Sequence, residues 1–163
     1  MTHIDLTLPE AAGNLALDEA LLNQAEEQGG GESLRFWESF RVFVVLGYAN
    51  RAAVEANLEA CAAAGVPVLR RCSGGGTVLQ GPGCLNYNLV LRIDPAGPTR
   101  TIPETNRFVM ERHRGVSEEM LGRPVLIQGH TDLTAGGLKF SGNAQRRCRN
   151  FLVFHGTFLL NFD

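Results

Sequence analysis

The chain has 163 residues, a formal net charge of −2 and 20% charged residues, a length that suits one domain able to bury roughly two-thirds of its unfolded surface. It lacks the basic excess of nucleic-acid binders, no apolar run reaches the roughly 18 residues of a membrane span, and the first residues do not form a secretory leader. The expectation is a cytoplasmic protein with neither nucleic acid nor membrane as partner, and with one local basic stripe at Arg146, Arg147 and Arg149.

Residues 14–28 set Leu15, Leu17, Leu21, Leu22 and Ala25 at near-helical spacing, with Asn14 as the cap and Gly29-Gly30-Gly31 as the stop. Residues 34–37 and 42–46 are short apolar and β-branched runs split by a polar turn, which predicts two adjacent strands. The Ala, Leu and Glu of residues 53–64, closed by Gly65 and Pro67, predict a second helix, and residues 66–69 a strand after it. A glycine-rich segment, Arg70-Arg71-Cys72-Ser73-Gly74-Gly75-Gly76-Thr77-Val78-Leu79, comes next. After a turn at Gly81-Pro82-Gly83, Leu85, Tyr87, Leu89 and Leu91 alternate with polar Asn86 and Asn88, so residues 85–93 read as a strand with one buried face. Residues 94–103 are a proline-rich loop, and residues 105–121 a further helix with Phe108, Val109, Met120 and Leu121 on its apolar side. Residues 125–128, 132–134, 138–145 and 151–160 read as strands, with Ala135-Gly136-Gly137 as a hairpin turn. Helices and short strands mixed without a βαβ period predict the α+β class, a largely antiparallel mixed sheet flanked by helices. The last residues, Phe158-Leu159-Leu160-Asn161-Phe162-Asp163, are apolar where termini are usually polar, which predicts a C-terminally truncated domain over 1–163 or one part of a split enzyme.

Cys61, Cys72, Cys84 and Cys148 show no C-x-x-C pairing and no partnered His spacing, so they read as free thiols. Cys84, beside the Gly-Pro-Gly turn, and Cys148, among arginines that would lower a thiol pKa, are the two candidate nucleophiles. Three glycines after Arg71 and Ser73 let backbone N–H groups approach a bound anion closely. No Gly-Lys-Ser/Thr follows, and no helix signal, so this is neither a Walker A nor a dinucleotide-binding loop. The plain alternative is a sharp turn with no ligand. Fourteen of the fifteen basic residues are arginine, and the exception is Lys139. An ammonium is a compact point charge where a guanidinium is a wide planar fork, so the two are not interchangeable in a tight anion site, although one lysine can also be left by compositional bias. On a regular strand Lys139 shares a face with Ser141. Asp132 is either a functional neighbour of Lys139 or a plain ion-pair partner, and His155 either a functional or a core histidine.

Together these residues resemble the lipoate-protein ligases of the biotin/lipoate protein ligase superfamily. Arg70 to Val78 is similar to that family's Arg-Arg-x-Ser-Gly-Gly-Gly-x-Val, and Gly83-Cys84-Leu85-Asn86-Tyr87 to its Gly-Asn-Leu-Asn-Tyr. Gly129-His130-Thr131-Asp132-Leu133 resembles Gly-x-Asn-Asp-Leu, Lys139-Phe140-Ser141-Gly142-Asn143-Ala144 matches Lys-x-Ser-Gly-x-Ala, and His155-Gly156-Thr157 matches His-Gly-Thr. Residues 14–19 and 45–47 fit the family's earlier helix and strand, so the likeness spans nearly the whole chain.

The resemblance implies a class II synthetase/biotin ligase-like fold, ATP and lipoate as substrates with Mg²⁺ on the nucleotide, and no tightly bound cofactor. It implies Lys139 as the lysine that contacts both the lipoyl carboxylate and the α-phosphate. Arg71, Ser73, Gly74, Gly75, Gly76, Thr77, Val78, Asn86, Asp132, Ser141, Gly142, Ala144, His155 and Gly156 would line the lipoate and adenylate site, with Asp132 a candidate Mg²⁺ ligand. The implied partners are lipoyl acceptor domains, a 2-oxo acid dehydrogenase E2 or the glycine cleavage H protein, and a separate C-terminal ligase piece. The chain departs from the family at Leu79-Gln80-Gly81, where Tyr-His-Asp or Phe-His-Asp is usual, and at Cys84, where Asn is usual. Gly81-Pro82-Gly83 is closer to the related octanoyltransferases, which pass an octanoyl group from acyl carrier protein through a cysteine thioester. The segment that holds their cysteine is Gly129 to Thr134 here, without a Cys. The alternatives to a ligase are therefore such a transferase, using Cys84 or Cys148, or a non-catalytic fragment that binds lipoate or the acceptor.

Overall fold

A computed structural model describes residues 1–162. Ten strands and four helices follow one another as β1 (Thr2–Asp5), α1 (Ala11–Gln28), β2 (Ser33–Glu38), β3 (Phe43–Leu46), α2 (Ala52–Glu55), α3 (Leu58–Ala63), β4 (Val68–Arg70), β5 (Val78–Gln80), β6 (Cys84–Arg92), α4 (Ile102–Leu121), β7 (Val125–Gln128), β8 (Asp132–Ala135), β9 (Leu138–Arg147) and β10 (Phe151–Leu159). Seven strands form one sheet in the order β1-β2-β6-β10-β9-β8-β7, antiparallel except at the β1–β2 edge. The α+β class holds, but the expected single sheet is two: β4-β3-β5 is a separate sheet, so β2 and β3 are not neighbours. All four residues of β3 are buried, which is how a continuous apolar run differs from an alternating one.

Each face of the large sheet has its own cover. Tyr87, Leu91, Leu133, Leu152 and Phe154 pack with Val109 and Met110 of α4. The opposite face meets α1 through Val90, Val153, Leu22 and Ala25, and meets the small sheet through Trp37, Phe43 and Val45. Helix α4 starts at Ile102, earlier than expected, because Thr101 and Glu104 form a reciprocal cap: Glu104 N–H donates to Thr101 Oγ1 at 3.3 Å and that hydroxyl donates to the Glu104 carboxylate at 2.8 Å. Pro103 lies in the first turn, where its missing N–H costs nothing. The helix expected over 53–64 is broken into α2 and α3, because Asn57 accepts from Ala60 N–H at 3.0 Å and opens a new helix. The turn after β8 is as expected, with Gly136 and Gly137 at φ of 58° and 81°, the pair of left-handed residues a two-residue hairpin needs.

Asn14 does not cap α1, which begins at Ala11 after Glu10. It is buried inside the first turn, where its amide accepts from Leu8 N–H at 2.9 Å and donates to the Leu8 carbonyl at 2.9 Å. It also meets Arg35 of β2, whose side chain is fully buried. All five Arg35 N–H groups are used, on the Leu6 and Asn14 carbonyls, the Asn14 amide oxygen and Asp18, the last at 2.6 Å. Trp37 Nε1 donates to the other Asp18 oxygen at 3.1 Å. Burial drives the Asp18 carboxyl upward, against the charge and hydrogen bond of Arg35 and the hydrogen bond from Trp37.

Removing one partner of such a pair strands a buried charge, whereas replacing both with apolar groups removes the desolvation cost too. Arg35→Met alone is expected to lose about 3–5 kcal/mol in urea unfolding; Arg35→Met with Asp18→Leu is expected to recover most of it. Equal losses in the single and double variants would show that the charge pair is not what couples α1 to β2.

Candidate functional site

The glycine segment is built from two loops packed backbone to backbone. Arg70 Nη1 donates to the carbonyls of Gly47, Tyr48 and Asn50 at 2.7–2.8 Å, and Tyr48 N–H donates to the Ser73 carbonyl at 2.8 Å. A Cβ on Gly47 would sit 2.1 Å from the Gly75 carbonyl oxygen, so only glycine permits this approach. Arg71 folds over its own loop, with Nη2 on the carbonyls of Gly74 and Gly76 at 2.7 and 2.8 Å and Nε on Ser73 Oγ and the Gly74 carbonyl. Burial holds its pKa below the usual arginine value. The Ser73, Gly74 and Gly76 carbonyls are thus taken. Among the described residues the N–H groups of Gly75 and Gly76 donate to nothing, which leaves them for an anion.

Lys139 faces this loop because of a β-bulge. Thr134 pairs with Lys139 and Leu133 with Ser141, so Phe140 is an extra residue in β9. The extra residue reverses the alternation: Ser141 lies on the α4 side, buried opposite Leu133, and Lys139 shares the other face with Gly142. The expectation that Lys139 and Ser141 share a face is therefore corrected. A Cβ on Gly142 would be 3.2 Å from Lys139 Cε and Nζ, and one on Gly75 would be 4.0 Å from Ala144 Cβ. Since Gly142 and Ala144 are one same-face repeat apart, the ammonium and the glycine loop are separated by roughly 7 Å along β9. Lys139 Nζ is paired with Asp132 at 2.7 Å, and the two side chains are 53% and 38% exposed, open to the cleft but not displaced from it.

This cleft, about 480 Å³, lies between the two sheets. Of the residues named from the sequence, Lys139, Arg71, Gly75, Gly76, Thr77, Val78, Asn86, Asp132, Gly142, Ala144, His155 and Gly156 border it, and so does Ser141, although it pairs with Leu133. Ser73 and Gly74 do not line it: Ser73 is buried behind the wall, hydrogen-bonded to His155 Nε2, and the Gly74 carbonyl turns to Arg71. The floor follows one row of the sheet, from Asp132 through Gly142, Thr157 and Asn86 to Trp37, each paired with the next. Three strand spacings separate Gly142 from Trp37, roughly 15 Å. Sequence reasoning missed Leu15, Val45, Leu79, Leu159 and Trp37, which give the Trp37 end its apolar surface beside the Asp18 carboxylate, and Gln80 and Thr157, which cross it. Their spacing carried no signal, because they come from five different elements, α1, β2, β3, β5 and β10.

The cysteines are elsewhere. None lines the cleft among the described residues, and burial pushes the thiols of Cys72, Cys84 and Cys148 upward. At Cys148 the charge of Arg146 opposes this but does not prevail, contrary to expectation. The basic stripe is also engaged, Arg146 with Glu19 at 2.6 Å and Arg147 with the Thr99 and Arg100 carbonyls. No group of three or more His, Cys, Asp or Glu able to hold a metal occurs among the described residues. Asp132, the candidate Mg²⁺ ligand, has its carboxylate on Lys139. Among the described residues no helix is long and apolar enough to cross a membrane.

Two histidines are held neutral. Burial, then the charge of Arg71, lowers His155 to about 4, and burial lowers His113 to about 4 between Tyr87 and Phe158. A depressed histidine pKa means that the unfolded chain binds the proton first, so stability is complete above pH ~6.5 and is lost as pH falls towards 4. The loss is on the order of 3 kcal/mol for His155 and smaller for His113, which keeps some solvent contact. Urea midpoints are expected to drop from pH 7 to pH 4.5, and His113→Phe to remove its share of that slope. Midpoints independent of pH would contradict the buried neutral rings.

Residues 10–163 match the family model of the lipoyl protein ligase A/B catalytic domain. The chain is 30% identical over 151 residues to lipoate–protein ligase 1 of Staphylococcus aureus, which covers 92% of this chain and 43% of that protein. It is 31% identical over 174 residues to octanoyltransferase LipM of Carboxydothermus hydrogenoformans, covering 93% and 62%. The chain spans about half the length of the curated ligases it matches. Among solved structures, a bi-partite lipoate protein ligase studied with its E2 lipoyl domain from Thermoplasma acidophilum superposes with a TM-score of 0.87 at 25% identity, over 99% of this chain and 62% of that one. A lipoate-protein ligase A bound with ATP superposes at 0.81 and 26%, over 99% and 67%. A biotin acetyl coenzyme A carboxylase synthetase of Helicobacter pylori, at 0.56 and 12%, shares the fold alone.

Proposed function

The chain belongs to the lipoyl protein ligase A/B catalytic-domain family, and from that premise we propose that it activates lipoate with ATP and passes the lipoyl group to a lysine of an acceptor lipoyl domain. The observation that carries this reading is one cleft containing Lys139, the chain's sole lysine, the unpaired N–H groups of Gly75 and Gly76, and an apolar end at Trp37. A carboxylate attacking the α-phosphorus of ATP brings two anions together. The C–O–P bond forms, pyrophosphate leaves, and the charge that spreads over the phosphoryl oxygens is met by a cation and N–H groups already in place. Lys139 would leave Asp132 to stand between the two reactants. Mg²⁺ would arrive with the nucleotide and offset the charge of the leaving pyrophosphate. The acyl chain would lie towards Leu15, Val45 and Trp37, each buried CH₂ contributing about 0.8 kcal/mol. In the second step the acceptor amine attacks the mixed anhydride and AMP leaves. An E2 lipoyl domain or an H protein is the acceptor.

A second reading, transfer of an octanoyl group through a cysteine thioester, is favoured by the octanoyltransferase relatives. It needs an ionisable thiol at the acyl group, and the cleft walls hold none among the described residues. The octanoyltransferase alignment is also longer than the ligase alignment over the same share of this chain, so that relative carries inserted residues with no counterpart here. A third reading, one part of a two-chain ligase, is favoured by the length of the relatives and by the bi-partite ligase of Thermoplasma acidophilum. It predicts that a separate C-terminal piece raises the rate of activation.

Lys139→Arg is expected to lower lipoate-dependent pyrophosphate exchange by about 10²-fold with an unchanged unfolding midpoint, because the wider guanidinium cannot occupy the space over Gly142. Exchange near the native rate would refute the assignment. Cys84→Ser and Cys148→Ser are expected to transfer at the native rate; loss of transfer in either, with the fold intact, would select the thioester route.

A further inference from the structure

Ser73 lies behind the cleft wall, and its hydroxyl determines which nitrogen of His155 carries the proton. The residue is 1% exposed, and its Oγ meets two groups among the described residues, Arg71 Nε at 3.2 Å and His155 Nε2. A guanidinium can only donate, so Oγ accepts from Arg71, and its own proton has one acceptor within reach, His155 Nε2. Were Nε2–H the donor instead, a buried hydroxyl proton would be left without any acceptor, at the cost of a lost hydrogen bond. Burial and the charge of Arg71 keep the ring neutral, so an Nε2 that accepts leaves the single ring proton on Nδ1. Nδ1 has no partner among the described residues and, unlike Nδ1 of His113, it is not enclosed. His155 borders the cleft, so this N–H is open to what the cleft holds.

His155 pairs with Ala144 of β9, the residue whose Cβ a Cβ on Gly75 would approach to 4.0 Å. The ring therefore stands one strand, roughly 5 Å, from the point where the glycine loop meets β9. Gly142, against which the Lys139 ammonium lies, is one same-face repeat from Ala144. We propose that His155 is a catalytic residue, a neutral donor whose Nδ1–H binds an oxygen of the α-phosphoryl group as the carboxylate attacks, and that Ser73 is the positioning residue that fixes its tautomer. The inference rests on the ligase reading of the cleft. The proton stays on Nδ1 throughout. An N–H aimed in advance at an oxygen that gains charge stabilises the transition state without reorganising. A neutral ring does this beside Arg71 and Lys139 without adding a third cation for them to repel.

Nitrogen-15 NMR of the full chain tests the tautomer, and lipoate-dependent pyrophosphate exchange tests the role. At pH 7 His155 is expected to show a protonated Nδ1 and a bare Nε2, its signals identified by their loss in His155→Asn. Ser73→Ala leaves Arg71 bonded to the Gly74 carbonyl; it is expected to move the proton towards Nε2 and to lower kcat for exchange about 10- to 100-fold, with KM for lipoate little changed. His155→Asn puts an amide N–H where Nδ1–H lies and needs no hydroxyl behind it, so in that background Ser73→Ala is expected to cost less than about twofold. His155→Gln, whose amide reaches the Nε2 position instead, is expected to lose as much as Ser73→Ala. A protonated Nε2 in the native chain overturns the proposal and leaves the ligase reading intact. Native-rate exchange in Ser73→Ala, or an equal loss from it in the native and His155→Asn backgrounds, does the same. A native chain with Nδ1 protonated but without lipoate-dependent exchange overturns the ligase reading, and the catalytic role with it.

Discussion

The extra residue at Phe140 is the constraint on which the cleft depends. Strand β9 is otherwise regular from Leu138 to Arg147, and its alternation would turn Lys139 towards α4, into the layer that holds Leu133 and Phe154. The bulge moves the ammonium to the opposite face, and Gly142 leaves a place for it to lie, against Asp132 of the next strand. A bulge beside a functional group is a common device for re-aiming one side chain without disturbing the rest of a ladder. Here it converts an ordinary hairpin into one wall of an anion site.

The other wall depends on backbone approach instead of side chains. Gly47 and Gly75 touch where no Cβ fits, and Arg71 ties the carbonyls of the loop inward so that N–H groups are what the loop offers outward. The two walls belong to different sheets. Their relative position is held by the Ser73–His155 bond beneath the glycine loop, by the Gln80–Thr157 bond across the cleft, and by the packing of Trp37 on Phe43, ring centroids 6.3 Å apart. Because His155 is neutral near pH 7, the first of these contacts does not depend on a proton that could be lost in the physiological range. Lys139, Asp132 and Arg71 stand at one end of the cleft and the Asp18 carboxylate, tied to Trp37, at the other.

Much of this was legible in the residues and some was not, for identifiable reasons. Strands β6 and β10 show in their apolar alternation, α4 in its period, and the β8–β9 hairpin in its glycine pair. The bulge does not show, because Lys-Phe-Ser reads as ordinary alternation. Arg35 was invisible for the opposite reason: a charged residue within a short strand reads as solvent-facing, and only the donors and acceptors of Leu6, Asn14 and Asp18 make its burial tolerable. Strand β1 pairs along an edge with mostly exposed side chains and so carries no apolar signal. Thirteen of the positions that motif order singled out border the cleft, whereas Ser73 is buried against His155. Gln80 stood out in sequence as a departure, and the structure shows its amide N–H bonded to Thr157 across the cleft.

The most direct measurement is the intact mass of an acceptor lipoyl domain after incubation with this chain and lipoate, with and without Mg-ATP. If Lys139 serves nucleotide-dependent activation, the acceptor gains one lipoyl group only when nucleotide is present, and AMP is released in equal amount. Modification that proceeds from an acyl carrier protein thioester in the absence of nucleotide would contradict the account.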